Sequence, residues 1–216
     1  MLVWLASYPR SGNSYFRATS GQLFGVKSFS IYPEENAHLS TLEVHDSAKT
    51  KNSVLVKTHE LPKDQHRAIY LVRDGRDSVI SYAHWALSRK SEKESIDPKS
   101  RQFQNQLRAI IATSGYFGGW STHVFAWHKR PNRYIVRFED LVANPVEVVS
   151  RALEFANLPF QVDPKIHPIE FKSLRAKNPV LYRKGVVGNW KTDMSPEIQE
   201  LFWRKCGSAM KLLGYK

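Results

Sequence analysis

The opening of the chain constrains its fold most tightly. Leu2-Val3-Trp4-Leu5-Ala6 is a continuous apolar run, of the kind that fills a strand buried on both faces. It runs into Ser7-Tyr8-Pro9-Arg10-Ser11-Gly12-Asn13-Ser14, a stretch of turn and capping residues. Tyr15, Phe16, Ala18 and Leu23 then recur at helical spacing. Three more apolar runs follow, at Val54–Val56, Ala68–Val72 and Tyr134–Val136. The first two end in polar residues, at Lys57-Thr58-His59 and Arg73-Asp74-Gly75-Arg76. Helical patterns start after Asp77, from Val146 to Ala156 behind Pro145, and from Pro196 to Leu213. Apolar strands alternating with helices predict an α/β fold: a central parallel sheet flanked by helices on both faces.

At 216 residues the chain reads as one domain, 1–216. The polar, mixed-charge stretch 88–106 reads as a mobile surface segment. With 42% hydrophobic and 24% charged residues, general disorder is excluded. The formal net charge of +12 favours anionic partners: nucleic acid, anionic lipid or a polyphosphorylated small molecule. The single Cys206 cannot form an internal disulfide. Met1–Ala6 lacks a basic leader, and no apolar run approaches the length of a bilayer span. These features predict a cytoplasmic protein with no membrane partner.

The first loop invites comparison with the phosphate-binding pattern G-x-x-x-x-G-K-[ST]. Gly12 and Ser14 fall on its second glycine and its hydroxyl, while Ser7 and Asn13 replace its first glycine and its lysine. Loop N–H groups and a helix N-terminus favour a bound anion, so an anion cradle is predicted here. The missing lysine speaks against an ordinary ATPase, and Arg10 is the replacement cation. Two alternatives stand beside transfer chemistry on a nucleotide. One is a P-loop-type kinase, and the other a basic nucleotide- or nucleic-acid-binding protein without catalysis.

Beyond the loop's own chemistry, Tyr8-Pro9-Arg10-Ser11-Gly12-Asn13-Ser14-Tyr15 resembles the 5′-phosphosulfate loop of sulfotransferases that use PAPS (3′-phosphoadenosine 5′-phosphosulfate). Arg73 and Ser81 stand eight positions apart, and their segment resembles the family's 3′-phosphate element. Lys57-Thr58-His59 is similar to its catalytic Lys-Thr-His, and Phe138-Glu139-Asp140-Leu141 to its Tyr-Glu-Asp-Leu/Met. Arg183-Lys184-Gly185 with Gly188-Asn189-Trp190-Lys191 is similar to its Arg-Lys-Gly…Gly-Asp-Trp-Lys. The matches run in family order along most of the chain.

The resemblance implies sulfuryl transfer from PAPS to a hydroxyl or amine, leaving PAP, with a small molecule or glycan as acceptor and with neither metal nor nucleic acid. It implies His59 as base, with Lys57 and Arg10 at the transferring group. The donor would be bound by Arg10, Ser11, Gly12, Asn13, Ser14, Tyr15, Arg73, Ser81, Arg183, Lys184 and Gly185. His84 and Trp85 are candidates for the acceptor pocket, while Trp120, Trp127 and Trp190 read as structural. The family's dimer motif would fall on Lys191–Glu200, but Ser195-Pro196 occupies its Thr-Val place, so that route to a dimer is in doubt.

Overall fold

The structure, a computed structural model, describes residues 1–36, 53–89, 96–113, 117–161, 167, 170–179, 182, 183 and 185–216. Two compact units interleave along the described chain. The first takes Met1–Ser7, Gly12–Val72 and Arg130–Glu170; the second takes Tyr8–Ser11, Arg73–Lys129 and Phe171–Lys216.

The first unit carries the sheet. Its strands are β1 (Leu2–Ser7), β2 (Ser28–Ser30), β3 (Val54–Thr58), β4 (Arg67–Val72) and β5 (Arg133–Arg137), in the order β2-β3-β1-β4-β5. All four pairings are parallel, with Ala6 opposite Thr58 and Ser7 opposite Leu71. Val3, Leu5, Leu55 and Ala68–Leu71 are buried, as continuous apolar runs in a parallel sheet require. β1 is the switch point: from it the chain goes out to the edge strand β2, returns inward to β3, and then crosses to β4 and β5 on the other side. Ligands of open α/β sheets bind beyond the carboxyl ends of strands at such a point.

Helix α1 (Asn13–Phe24) follows β1 and buries Phe16, Leu23 and Phe24; each such side chain contributes about 1.5–3 kcal/mol of burial energy. In this unit Pro33–Asn36 forms a 3-10 turn.

The second unit is helical. Helix α2 (Gly75–Ser88) starts on Asp74, whose side chain accepts from the Arg76 N–H and also takes the Arg76 guanidinium at 2.7 Å. It is followed by α3 (Arg101–Ala112) and α4 (Trp120–His128). The sheet's own unit then adds α5 (Phe138–Ala143) and α6 (Pro145–Phe155), the latter opening on its proline and packing against α1. The last helices belong to the second unit: α7 (Phe171–Lys177), α8 (Trp190–Asp193) and α9 (Pro196–Leu212). Ser195 and Pro196, the residues that interrupt the dimer motif, are the cap and first turn of α9.

The stretch 88–106 departs in part from its mobile reading. Residues 101–106 open α3, where Ser100 caps the Phe103 N–H and Phe103, Leu107 and Ile111 form a buried stripe. That stripe is one residue wide and set among polar neighbours, which hid its period. Residues 90–95 lie outside those described. A parallel sheet flanked by helices is nonetheless the α/β class that the sequence implies.

Candidate active site

β3 carries Lys57 on the same face as Leu55, at 4% exposure, and His59 follows its end. An ammonium at that depth needs a counter-charge. Lys57 Nζ donates to Glu35 Oε1 at 2.5 Å, and Glu35 Oε2 accepts from Arg17 Nη1 at 3.0 Å. Arg17 is in turn fixed at the start of β2, donating to the Ser28 hydroxyl at 2.9 Å and the Ser28 carbonyl at 3.2 Å.

His59 Nδ1 lies 2.7 Å from the carbonyl oxygen of Ser7, with the Ser7 hydroxyl 3.3 Å away. A carbonyl only accepts, so Nδ1 carries the proton and the lone pair sits on Nε2. Tyr32 spans both residues. Its ring stacks on His59 at 5.7 Å and 27°, its hydroxyl accepts from the His59 N–H at 3.0 Å, and Lys57 Nζ lies 5.5 Å from its ring centre. Burial raises the Tyr32 hydroxyl above its ordinary range against the pull of that N–H, so the phenol stays neutral.

The loop between β1 and α1 bends through two left-handed residues, Arg10 at φ 70° and Gly12 at φ 101°. Gly12 is irreplaceable on two counts: its φ, and a Cβ that would stand 2.5 Å from the Phe138 ring. Gly12 is the N-cap of α1, and no side chain caps that end. The Asn13 side chain is buried and turned to the strand, its amide donating to the Leu5 carbonyl at 3.0 Å and the Ser7 hydroxyl at 3.2 Å. Ser14 occupies the first turn behind it. Tyr15 is buried at 6% exposure, and burial raises its hydroxyl above its ordinary range.

Within the second unit, residues far apart in sequence converge on Arg10. Its Nε donates to the Ser81 hydroxyl at 3.1 Å, and Arg73 Nη1 donates to the Arg10 carbonyl at 3.3 Å. Arg73 Nη2 donates to the Val186 carbonyl at 3.0 Å, which ties in the bend after Arg183. Burial first, then the Arg73 and Arg183 guanidiniums, push Arg10 down to about 10. Arg183 is lowered by burial and by Arg73, while Asp193, 3.8 Å away, holds it up.

The Asp77 side chain is fully buried and accepts from the N–H groups of Gly188 at 2.7 Å and Trp190 at 3.0 Å, which fastens that bend to α2. Burial raises Asp77, opposed by Arg73 at 3.7 Å and by those N–H groups. Gly185, at φ 64°, has the Phe171 ring 2.6 Å from where a Cβ would stand. Ser11 is buried, with its hydroxyl 3.3 Å from that of Ser78. Lys184 lies outside the described residues.

Residues 2–214 match the sulfotransferase domain family. The chain belongs to that family. Sulfotransferase 1B1 of Mus musculus is 26% identical over 66% of this chain, and sulfotransferase 1A1 of Bos taurus 29% identical over 75%. The chain spans 56% and 63% of the lengths of those two relatives. The fold is also that of a solved mouse sulfotransferase, SULT7A1, complexed with PAP: TM-score 0.71 at 18% identity, over 97% of this chain and 83% of the other.

Of the residues singled out from sequence, Arg10, Arg73, Ser81 and Arg183 come together within the second unit, and Lys57 and His59 within the first. His84 packs on Phe103, 4.5 Å between ring centres, with Nε2 3.9 Å from Asp193. Trp85 is half-buried and stacks on Tyr82. Trp120 and Trp127 are buried, and Trp190 carries the Arg76 guanidinium 3.6 Å from its ring centre. Sequence reasoning missed Arg17, Tyr32, Glu35, Asp77 and Asp193. Tyr32-Pro33-Glu34-Glu35 was the available signal, a turn tetrad with two carboxylates in a basic chain. Among the described residues, no group of His, Cys, Asp or Glu could hold a metal ion, and no helix is long and apolar enough to cross a membrane.

Proposed function

We propose that this chain transfers a sulfuryl group from PAPS to a hydroxyl or amine of a small-molecule or glycan acceptor. The observation that carries the proposal is the convergence of Arg10, Arg73, Ser81 and Arg183. Buried guanidiniums that depress one another make a poor resting arrangement and a strong receptor for a multiply charged anion. Arg73, Ser81 and Arg183, with Lys184 and Gly185 next in sequence, would hold the 3′-phosphate. The loop Ser11–Ser14 and the uncapped start of α1 would hold the 5′-phosphosulfate. Tyr15 and Phe138, both buried, would support that loop and the adenine side.

In the reaction the acceptor O–H or N–H loses its proton and forms a bond to sulfur, while the bond from sulfur to the bridging oxygen breaks and PAP leaves. His59 would take the proton on Nε2, the nitrogen that its tautomer leaves basic. Lys57 and Arg10 would stabilise charge on the sulfuryl and bridging oxygens. Arg10 stays protonated at working pH, so it acts through its fork of N–H groups and not as an acid. The Asn13 amide is committed to Leu5 and Ser7, which separates this loop from one that grips a γ-phosphate with lysine.

We place the chain in the cytoplasm, in keeping with the lone Cys206, and as one sulfotransferase domain acting without metal. A donor-transfer screen tests the reading: labelled PAPS against phenols, alcohols, amines and sugars should give labelled acceptor and stoichiometric PAP. Transfer from ATP with magnesium, and none from PAPS, would overturn it.

A further inference from the structure

The geometry points to Glu35 as a positioning residue that sets the place of the Lys57 ammonium for sulfuryl transfer, with Arg17 as its anchor. This rests on the assignment of Lys57 to the transferring group. Lysine is a point charge on a flexible stem, so burial alone does not fix where its charge sits. Glu35 does fix it, taking Lys57 on Oε1 at 2.5 Å and Arg17 on Oε2 at 3.0 Å. Arg17 is fastened to both the hydroxyl and the carbonyl of Ser28, so the carboxylate is held from behind by a strand.

The same short turn brings Tyr32 onto the His59 ring, so a single local element braces both reactive side chains. The Glu35 side chain is one-third exposed while the Lys57 side chain is 5% exposed. The carboxylate therefore reaches inward from the surface to a buried cation. The negative charge of Glu35 beside Lys57 also opposes an anionic donor. Glu35 then weakens ground-state attraction for the donor while keeping the ammonium charged and aimed, a trade that raises turnover rather than affinity.

The test is steady-state kinetics of E35Q, E35D, R17Q and K57A, with PAP affinity measured by calorimetry and a double variant E35Q/K57A. E35Q should lower kcat by roughly 10- to 100-fold, the scale of misplacing a reacting group, with the donor KM unchanged or lowered. E35D should recover part of that loss, and R17Q should fall in the same direction by less. In the K57A background E35Q should cost little more, because the residue acts through Lys57. A merely structural role would cost the same factor in both backgrounds, and that result would overturn the assignment, as would wild-type kcat in E35Q. If E35Q failed to fold, wild-type kcat in R17Q would overturn it instead. Wild-type turnover in K57A would remove the reading beneath it, an outcome distinct from a K57A loss with E35Q unaffected.

Discussion

The cluster around Arg10 and the cluster around Lys57 both gather buried cations, yet they neutralise them differently. Beside Lys57, one carboxylate receives direct hydrogen bonds of 2.5 and 3.0 Å from two cations. Around Arg10, the acids stand back: Asp77 is 3.7 Å from Arg73 and spends its oxygens on backbone N–H groups, while Asp193 is 3.8 Å from Arg183. The guanidiniums there depress one another. A cluster in mutual repulsion is stabilised when an anion arrives. A cluster with its own counter-charge is already in working order. Under the proposed function this is a division of labour in which the Arg10 cluster would bind the donor, with Arg10 also reaching the transferring group, and the Lys57 cluster would carry the proton transfer.

The sharpest way to break this division is H59A. Turnover should fall by about 100- to 10,000-fold, the range for losing a general base, while PAP affinity stays near that of the parent. Comparable losses in both would merge the clusters. Next in size, R73A should weaken PAP by about 10- to 100-fold, since charge-assisted bonds to an anion contribute about 1.5–3 kcal/mol. R73K should recover little, because an ammonium cannot reproduce the fork. PAP should also raise the melting temperature of the parent, by the equivalent of about 2.7 kcal/mol at a hundred times Kd, and R73A should lose that shift at equal PAP concentration.

G12A should lower thermal stability by about 1–3 kcal/mol, through the left-handed φ and the Phe138 ring together. Y32F should have the smallest effect, about 2- to 10-fold on turnover, because it removes one hydrogen bond to the His59 N–H and keeps the stacked ring.

Much of this was legible in the sequence because buried parallel strands betray themselves. The runs Leu2–Ala6, Val54–Val56, Ala68–Val72 and Tyr134–Val136 are all strands, and Arg10, Lys57, His59 and Arg73 lie just beyond or at the ends of three of them. β2 escaped notice because Ser28–Ser30 is short, polar at both ends and at the sheet edge. Glu35 and Tyr32 escaped because a 3-10 turn has no period, and their partners on β3 are remote in sequence. Asp77 drew no reading of its own, because only the fold brings Gly188 and Trp190 to it. Asn13 read as a ligand, yet its side chain serves the strand.

The most direct test of the central claim is calorimetric titration of the protein with PAP and with adenosine 5′-phosphate, which lacks the 3′-phosphate. The account predicts that PAP binds about 100-fold more tightly or better, because Arg73, Ser81 and Arg183 meet the extra phosphate. Equal affinity for the two nucleotides would contradict it.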